Sequence, residues 1–109
     1  NKNIIIDYLK NNKDKKIGWV GCTAKSVLLL KFFNIEQYFH AAYDDAELKI
    51  GKLIPGTKIK VKRMEELEEC DICFLGAYNF VDFIIDRFRN LEMEWCIPIP
   101  EFKVINDKE

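Results

Sequence analysis

Short apolar runs and apolar stripes alternate along the chain, and they predict strands and helices in turn. The runs indicate five strands, at residues 17–21, 38–43, 58–62, 71–77 and 94–97. The stripes indicate helices at residues 2–11, 25–33 and 81–91, with one or two helical turns at 64–69. We expect a loop at residues 46–58 and a frayed, charged tail beyond Val104.

The helix at residues 25–33 is apolar on nearly every face. We therefore expect it to be buried against the sheet, and it could also pack against a partner. Asn34 should end this helix. Residues 58–62 alternate strictly between lysine and aliphatic residues, which is typical of an edge strand with one face in water.

Strands that alternate with helices predict a small three-layer α/β domain with a parallel, Rossmann-like sheet. The right-handed crossover rule favours the strand order 3-2-1-4-5. In this order the loops after the first and fourth strands lie side by side at the carboxyl edge of the sheet. Residues 21–25 and 77–79 should therefore face each other across one crevice, with Asp44 at its side.

Residues 17–45 contain the strongest indication of a ligand site. An apolar run ends at Gly21, a helix begins near Lys25, and a second apolar run ends at Asp44. The first N–H groups of a helix lack intrahelical acceptors, and the helix dipole adds partial positive charge there. A diphosphate fits both features, and an acid at the end of the second strand can accept hydrogen bonds from sugar hydroxyls.

The formal nucleotide-binding motifs, however, are not met. Gly18 and Gly21 do not have the spacing of G-x-G-x-x-G. A Walker A loop would need glycines in place of Trp19 and Ala24, ahead of Lys25. The turn therefore indicates a phosphate site without identifying the ligand.

Chain length and net charge argue against several classes of protein. A chain of 109 residues is expected to form one domain, residues 1–109. A formal net charge of −1 gives no electrostatic reason to expect nucleic acid or an anionic membrane surface. The longest apolar stretch is far too short to span a bilayer, so a cytoplasmic location is the default expectation.

The sequence Cys70-Asp71-Ile72-Cys73 has the spacing used in zinc and redox sites. Cys73 and Cys96 nevertheless lie within apolar runs, where a cysteine behaves as a small core residue. A structural zinc site would also want a second close pair of cysteines. We therefore expect no metal site, and we expect the one histidine, His40, to be a half-exposed strand residue.

An ordered set of residues runs through most of the chain. In chain order the set is Gly21-x-x-Ala24-Lys25, Asp44, Lys49-x-Gly51-Lys52-x-x-Pro55-Gly56-Thr57-x-Ile59, Asp71, Ala77-Tyr78-Asn79-Phe80 and Pro98-Ile99-Pro100. This set resembles the C-terminal domain of the sugar C-methyltransferase family, whose members use S-adenosylmethionine to methylate deoxysugars that are attached to a nucleoside diphosphate. The resemblance covers residues 4–105, and residues 49–59 are its most specific part.

The resemblance implies a Rossmann-type domain that helps to hold the nucleotide-sugar and is not catalytic alone. In this family the S-adenosylmethionine site and the acid/base residues lie in a preceding domain, so no cofactor is expected in this chain. The expected partners are a nucleoside diphosphate sugar and a methyltransferase domain in the same or another chain. The implied substrate-binding residues are Gly21, Cys22, Thr23, Ala24, Lys25, Asp44, Tyr78 and Asn79.

Four residues depart from the family pattern, in which other residue types are usual: Cys22 for alanine, Ser26 for glycine, Tyr78 for tryptophan and Phe83 for an acid. A structural interpretation of the proposed site also stays open. Lys25 could be a solvated lysine at the helix start, Asn79 an N-cap, and Asp44 a turn residue.

Two other functions stay open beside substrate anchoring. The chain could be the nucleotide-sugar-binding module of another sugar-modifying enzyme, such as an acetyltransferase. Alternatively, it could be a non-catalytic interaction domain that docks through the apolar helix at residues 27–33.

Overall fold

The computed structural model describes residues 2–76, 81–98 and 101–106. The described helices are α1 (Lys2–Asn11), α2 (Ala24–Phe33) and α3 (Val81–Arg87), and two short 3₁₀ helices span Glu36–Tyr38 and Met64–Glu69. The strands are β1 (Ile17–Val20), β2 (Ala41–Asp44), β3 (Val61–Arg63), β4 (Ile72–Leu75), β5 (Glu94–Ile97) and β6 (Lys103–Asn106).

The six described strands form one mostly parallel sheet in the order β3-β2-β1-β4-β5-β6. Strands β1 to β5 are parallel to their neighbours, whereas β6 pairs antiparallel with β5. The predicted order of the first five strands is confirmed. The predicted count of five is wrong, because the expected frayed tail pairs with β5 and satisfies the backbone groups along its outer edge.

Several predicted boundaries also differ. The second strand begins at Ala41 rather than at residue 38, because residues 36–38 form a 3₁₀ helix. The third strand begins at Val61, and the last helix ends at Arg87 rather than at residue 91. Asn34 ends α2 as predicted, with a left-handed φ of 55° and its N–H bonded to the last carbonyls of the helix.

Helices lie on both faces of the sheet, which gives three layers. On one face, α1 and α2 bury Ile5 and Leu30 against β1 and β4. On the other, α3 and the 3₁₀ helix at residues 64–69 bury Ile84 and Leu67. Every residue of β1 and β4 is buried, which accounts for their continuous apolar sequences.

Helix α2 is buried on the side that faces the sheet. Leu30 and Phe33 are buried against the sheet, but Leu28 is 69 % exposed and Phe32 is 74 % exposed. Burial of the helix against the sheet is therefore confirmed, and packing of its exposed side against a partner stays a prediction. None of the helices in the described ranges is long and apolar enough to cross a membrane.

Candidate functional site: the carboxyl edge of β1 and β2

The turn between β1 and α2 is built by Gly21 and Thr23. Gly21 has a φ of 97°, a conformation that favours glycine, and its N–H donates to the Tyr43 carbonyl at 3.0 Å. Thr23 is the N-cap of α2, and its hydroxyl oxygen accepts from the Ser26 N–H at 3.2 Å. The N–H groups of Thr23 and Ala24 have no acceptor among the described residues. These two donors are available to an anionic ligand.

Asp44 ends β2 and reaches across to this turn. One carboxylate oxygen accepts from the Cys22 N–H at 2.8 Å, and the other accepts from the Ala46 N–H at 2.9 Å. The interpretation of Asp44 as a turn residue is thus supported by its contacts. Each carboxylate oxygen can accept more than one hydrogen bond, so Asp44 also retains capacity for a ligand hydroxyl.

Ser26 lies beneath the turn. Its hydroxyl donates to the Gly21 carbonyl at 2.6 Å and accepts from the Trp19 indole N–H at 2.7 Å. Ser26 is almost fully buried. A Cβ placed on Gly76 would clash with this hydroxyl. Ser26 therefore forms part of the core under the turn.

Cys22 and Lys49 connect the turn to the loop after β2. Burial and the Asp44 carboxylate raise the pKa of the Cys22 thiol to about 12, so it is neutral at pH 7 and adds no negative charge to the site. The Lys49 ammonium donates to the Cys22 carbonyl at 2.7 Å. Lys49 therefore places a positive charge at the turn, although it lies 27 positions from Cys22 in the sequence.

A groove of about 710 Å³ opens beside the turn, between α2 and the loop at residues 46–60. Its floor is buried, but the side chains at its mouth are exposed: Leu28 by 69 %, Leu48 by 84 % and Leu53 by 55 %. The lining residues are Cys22, Ala24, Val27, Leu28, Leu48, Lys49, Lys52, Leu53, Ile54, Pro55 and Val61. Cys22 and Ala24 belong to both features, so the groove and the turn form one continuous surface.

The model of the family C-methyltransferase C-terminal domain matches residues 2–100. The chain belongs to this family. The resemblance read from its sequence is thereby confirmed. A comparison with curated proteins finds no match.

A solved structure, UDP-D-quinovosamine 4-dehydrogenase from Vibrio fischeri, resembles this C-methyltransferase C-terminal domain. The TM-score is 0.62 at 20 % sequence identity, over 84 % of this chain and 93 % of that chain. At this identity the likeness shows a shared fold.

The structure describes only some of the other predicted site residues. Lys25 lies in the first turn of α2 and is exposed. Tyr78 and Asn79 lie outside the described residues, so the expected crevice between residues 21–25 and 77–79 stays a prediction. Gly76 donates its N–H to the Val20 carbonyl at 2.9 Å, which places the chain leaving β4 beside the end of β1.

The cysteines and the histidine lie away from this surface, except for Cys22. Cys70, Cys73 and Cys96 are buried free thiols, and burial raises the pKa of each. The prediction of a core position is thereby confirmed for Cys73 and Cys96, and the structure adds Cys70. No group of residues suited to hold a metal ion occurs in the described ranges. His40 has a side chain 38 % exposed, as expected, but it precedes β2 rather than belonging to it.

The turn was predicted from sequence, whereas the groove was missed. Lys49 and Lys52 were noticed as part of the family pattern but were not assigned to the site. The sequence does not mark Leu28 and Leu53 as site residues, because isolated leucines usually belong to the core.

Proposed function

We propose that this Rossmann-like domain anchors a nucleoside diphosphate sugar for an S-adenosylmethionine-dependent C-methyltransferase. In this proposal the ligand diphosphate lies on the turn at residues 21–25. S-adenosylmethionine and the catalytic residues belong to a methyltransferase domain in the same or another chain. The substrate would be a deoxysugar nucleotide, and the enzyme would act in the cytoplasm.

The proposal rests on the turn at residues 21–25, in a chain that belongs to this family. The turn offers the N–H groups of Thr23 and Ala24 at the start of α2, with the Lys49 ammonium fixed beside them. The Cys22 thiol, whose pKa is raised to about 12 by burial and by the Asp44 carboxylate, adds no further negative charge to the turn. The fold neighbour is, by its name, an enzyme of a UDP-sugar, which agrees with the proposed ligand class.

The proposal extends to four further residues. Lys25, in the first turn of α2, would contact the diphosphate, and Asp44 would accept a hydrogen bond from a hydroxyl of the ligand. Tyr78 and Asn79 follow β4 and would complete the site from the other side. These roles depend on the strand order, because β1 and β4 are neighbours at the point where the order reverses.

Chemical-shift mapping with thymidine diphosphate and uridine diphosphate tests the proposal. We expect the shifted resonances to cluster at Gly21, Thr23 and Lys25. Replacing Lys25 by alanine should weaken binding by about 1–2 kcal/mol, because a charged hydrogen-bond donor is lost at a partly solvated site.

Lys60→Ala is the matched control, because Lys60 is an exposed lysine just before edge strand β3 and should not affect binding. Shifts confined to the amino edge of the sheet, or an unperturbed Gly21, would contradict the site assignment. In that case the interaction-domain function becomes the better candidate, and the exposed Leu28 and Phe32 on α2 are the observation that favours it.

A further inference from the structure

The groove beside α2 is larger than a diphosphate site requires. Its volume of about 710 Å³ lies within the range of about 300–1,000 Å³ that is typical of pockets for small organic ligands. The polar groups that would contact phosphates lie at the turn rather than in the groove. A ligand that occupied only the turn would therefore leave an adjoining apolar cavity in contact with water.

Lys49 stands where the groove meets the turn. Its ammonium group has three donors, and the Cys22 carbonyl accepts from it at 2.7 Å. Lys52 also lines the groove and is exposed, and none of the described lining residues is acidic. These two lysines favour an anionic group near the turn, and the apolar side chains favour an uncharged group deeper in the groove.

The groove walls suit a flat, mostly apolar group. Leu28 on α2 and Leu53 on the loop both line the cavity, and the buried residues Ile54 and Val61 lie deeper in it. A heterocyclic base packed against these side chains would remove exposed apolar surface from water.

Asp44 contacts Cys22, the residue at which the turn meets the groove. Its carboxylate is 2.8 Å from the N–H of Cys22, which lines the groove. An acid at this position is suited to accept from the hydroxyls of a pentose that joins a base to a diphosphate. The groove, the acid beside its junction with the turn, and the donors of the turn therefore offer adjoining places for a base, a pentose and a diphosphate.

We infer that the groove binds the nucleoside half of the ligand, with its base against Leu28 and Leu53. This inference rests on the proposed function and adds an orientation to it. The groove lies on the side of β2 and β3, so the sugar attached to the second phosphate extends in the opposite direction, towards β4.

Titration of the full chain with thymidine diphosphate, uridine diphosphate, thymidine and inorganic pyrophosphate tests this orientation. The variant is Leu53→Asn, which removes apolar surface without adding a charge that would repel phosphate. We expect its Kd for thymidine diphosphate to rise about fivefold, with no change in its Kd for pyrophosphate. In the unchanged chain, both nucleotides should shift resonances of Leu28, Leu53 and Val61, and pyrophosphate should not.

Ile4→Asn is the matched control, because Ile4 is 59 % exposed on α1, compared with 55 % for Leu53, and does not line the groove. It should leave the Kd of every probe unchanged. Because both residues are exposed, both variants should fold, which the dispersion of their amide spectra verifies.

Two outcomes overturn the inference. If thymidine diphosphate shifts the turn but not the groove, or if Leu53→Asn weakens pyrophosphate equally, the base lies elsewhere while the proposed function survives. If the groove resonances instead shift with protein concentration and no probe perturbs them, the groove is a protein-docking surface. Failure of all probes to perturb Gly21 would refute the proposed function itself.

Discussion

Asp44 and Glu69 are carboxylates at opposite edges of the same sheet, and their surroundings differ in kind. Asp44, at the carboxyl edge, accepts from two backbone N–H groups and adjoins a groove. Glu69, at the amino edge, accepts from the Tyr43 hydroxyl and the Lys62 ammonium, each at 2.5 Å. His40 lies 3.8 Å from the same oxygen of Glu69.

The two carboxylates therefore differ in role: Glu69 joins structural elements to one another, whereas Asp44 orders a turn beside a groove. The partners of Glu69 are side chains from β2 and β3, so the cluster joins neighbouring strands to the 3₁₀ helix at residues 64–69. Tyr43 is fully buried, and burial together with hydrogen bonds to Cys70 and Glu69 raises the pKa of its hydroxyl, which stays protonated. Asp44 instead fixes the backbone of a turn in which the N–H groups of Thr23 and Ala24 have no acceptor among the described residues.

The largest expected effect is the loss of the Tyr43 ring from the amino-edge cluster. Tyr43→Ala should lower the free energy of unfolding by about 3–5 kcal/mol, because it leaves a cavity under the sheet. Tyr43→Phe should cost only about 1 kcal/mol, because the ring stays and the hydrogen bond to Glu69 is lost. Urea unfolding measures both, and equal losses for the two variants would contradict the importance assigned to the ring.

A matched pair of amide substitutions tests the comparison itself. Glu69→Gln and Asp44→Asn each remove one charge, and each should lower the free energy of unfolding by about 1–2 kcal/mol. Only Asp44→Asn should also weaken the binding of thymidine diphosphate, because the amide places donors opposite the Cys22 N–H and disturbs the turn.

Urea unfolding and nucleotide titration of both variants give the two readouts. A loss of nucleotide affinity in Glu69→Gln, at conditions where the variant is fully folded, would show that the amino edge also contributes to binding. An unchanged affinity in Asp44→Asn would limit Asp44 to a structural role.

Much of the fold could be predicted because its signals are local. The buried runs of β1 and β4 and the end of α2 at Asn34 were readable, and the crossover rule then ordered the first five strands. Strand β6 was missed because its pairing with β5 depends on tertiary contact, and its Val104 and Ile105 stay partly exposed.

The site was only half predictable for the same reason. The turn at residues 21–25 follows from a strand, a glycine and an N-cap, all adjacent in sequence. The groove depends on how the loop folds back, through a bridge between Leu53 and Lys60 and a bond from Lys31 to the Gly56 carbonyl at 2.7 Å. Neither contact has a sequence signature, so the positions of Lys49 and Leu53 beside the turn could not be predicted from the sequence.

The smallest expected effect is a pH dependence carried by Glu69. Burial opposes the ionisation of this carboxyl, but hydrogen bonds from Lys62 and Tyr43 outweigh burial and lower its pKa in the folded protein. A lowered pKa contributes stability that is present above the pKa of an unfolded glutamate, about 4.3, and is lost as pH falls through the folded value. The urea midpoint of the unchanged chain should therefore exceed that of Glu69→Gln at pH 7, and the difference should shrink between pH 5 and pH 3. Glu68→Gln, at an exposed neighbouring position, should match the unchanged chain throughout. A difference for Glu69→Gln that stays constant down to pH 3 would show that its stability loss comes from packing rather than from charge.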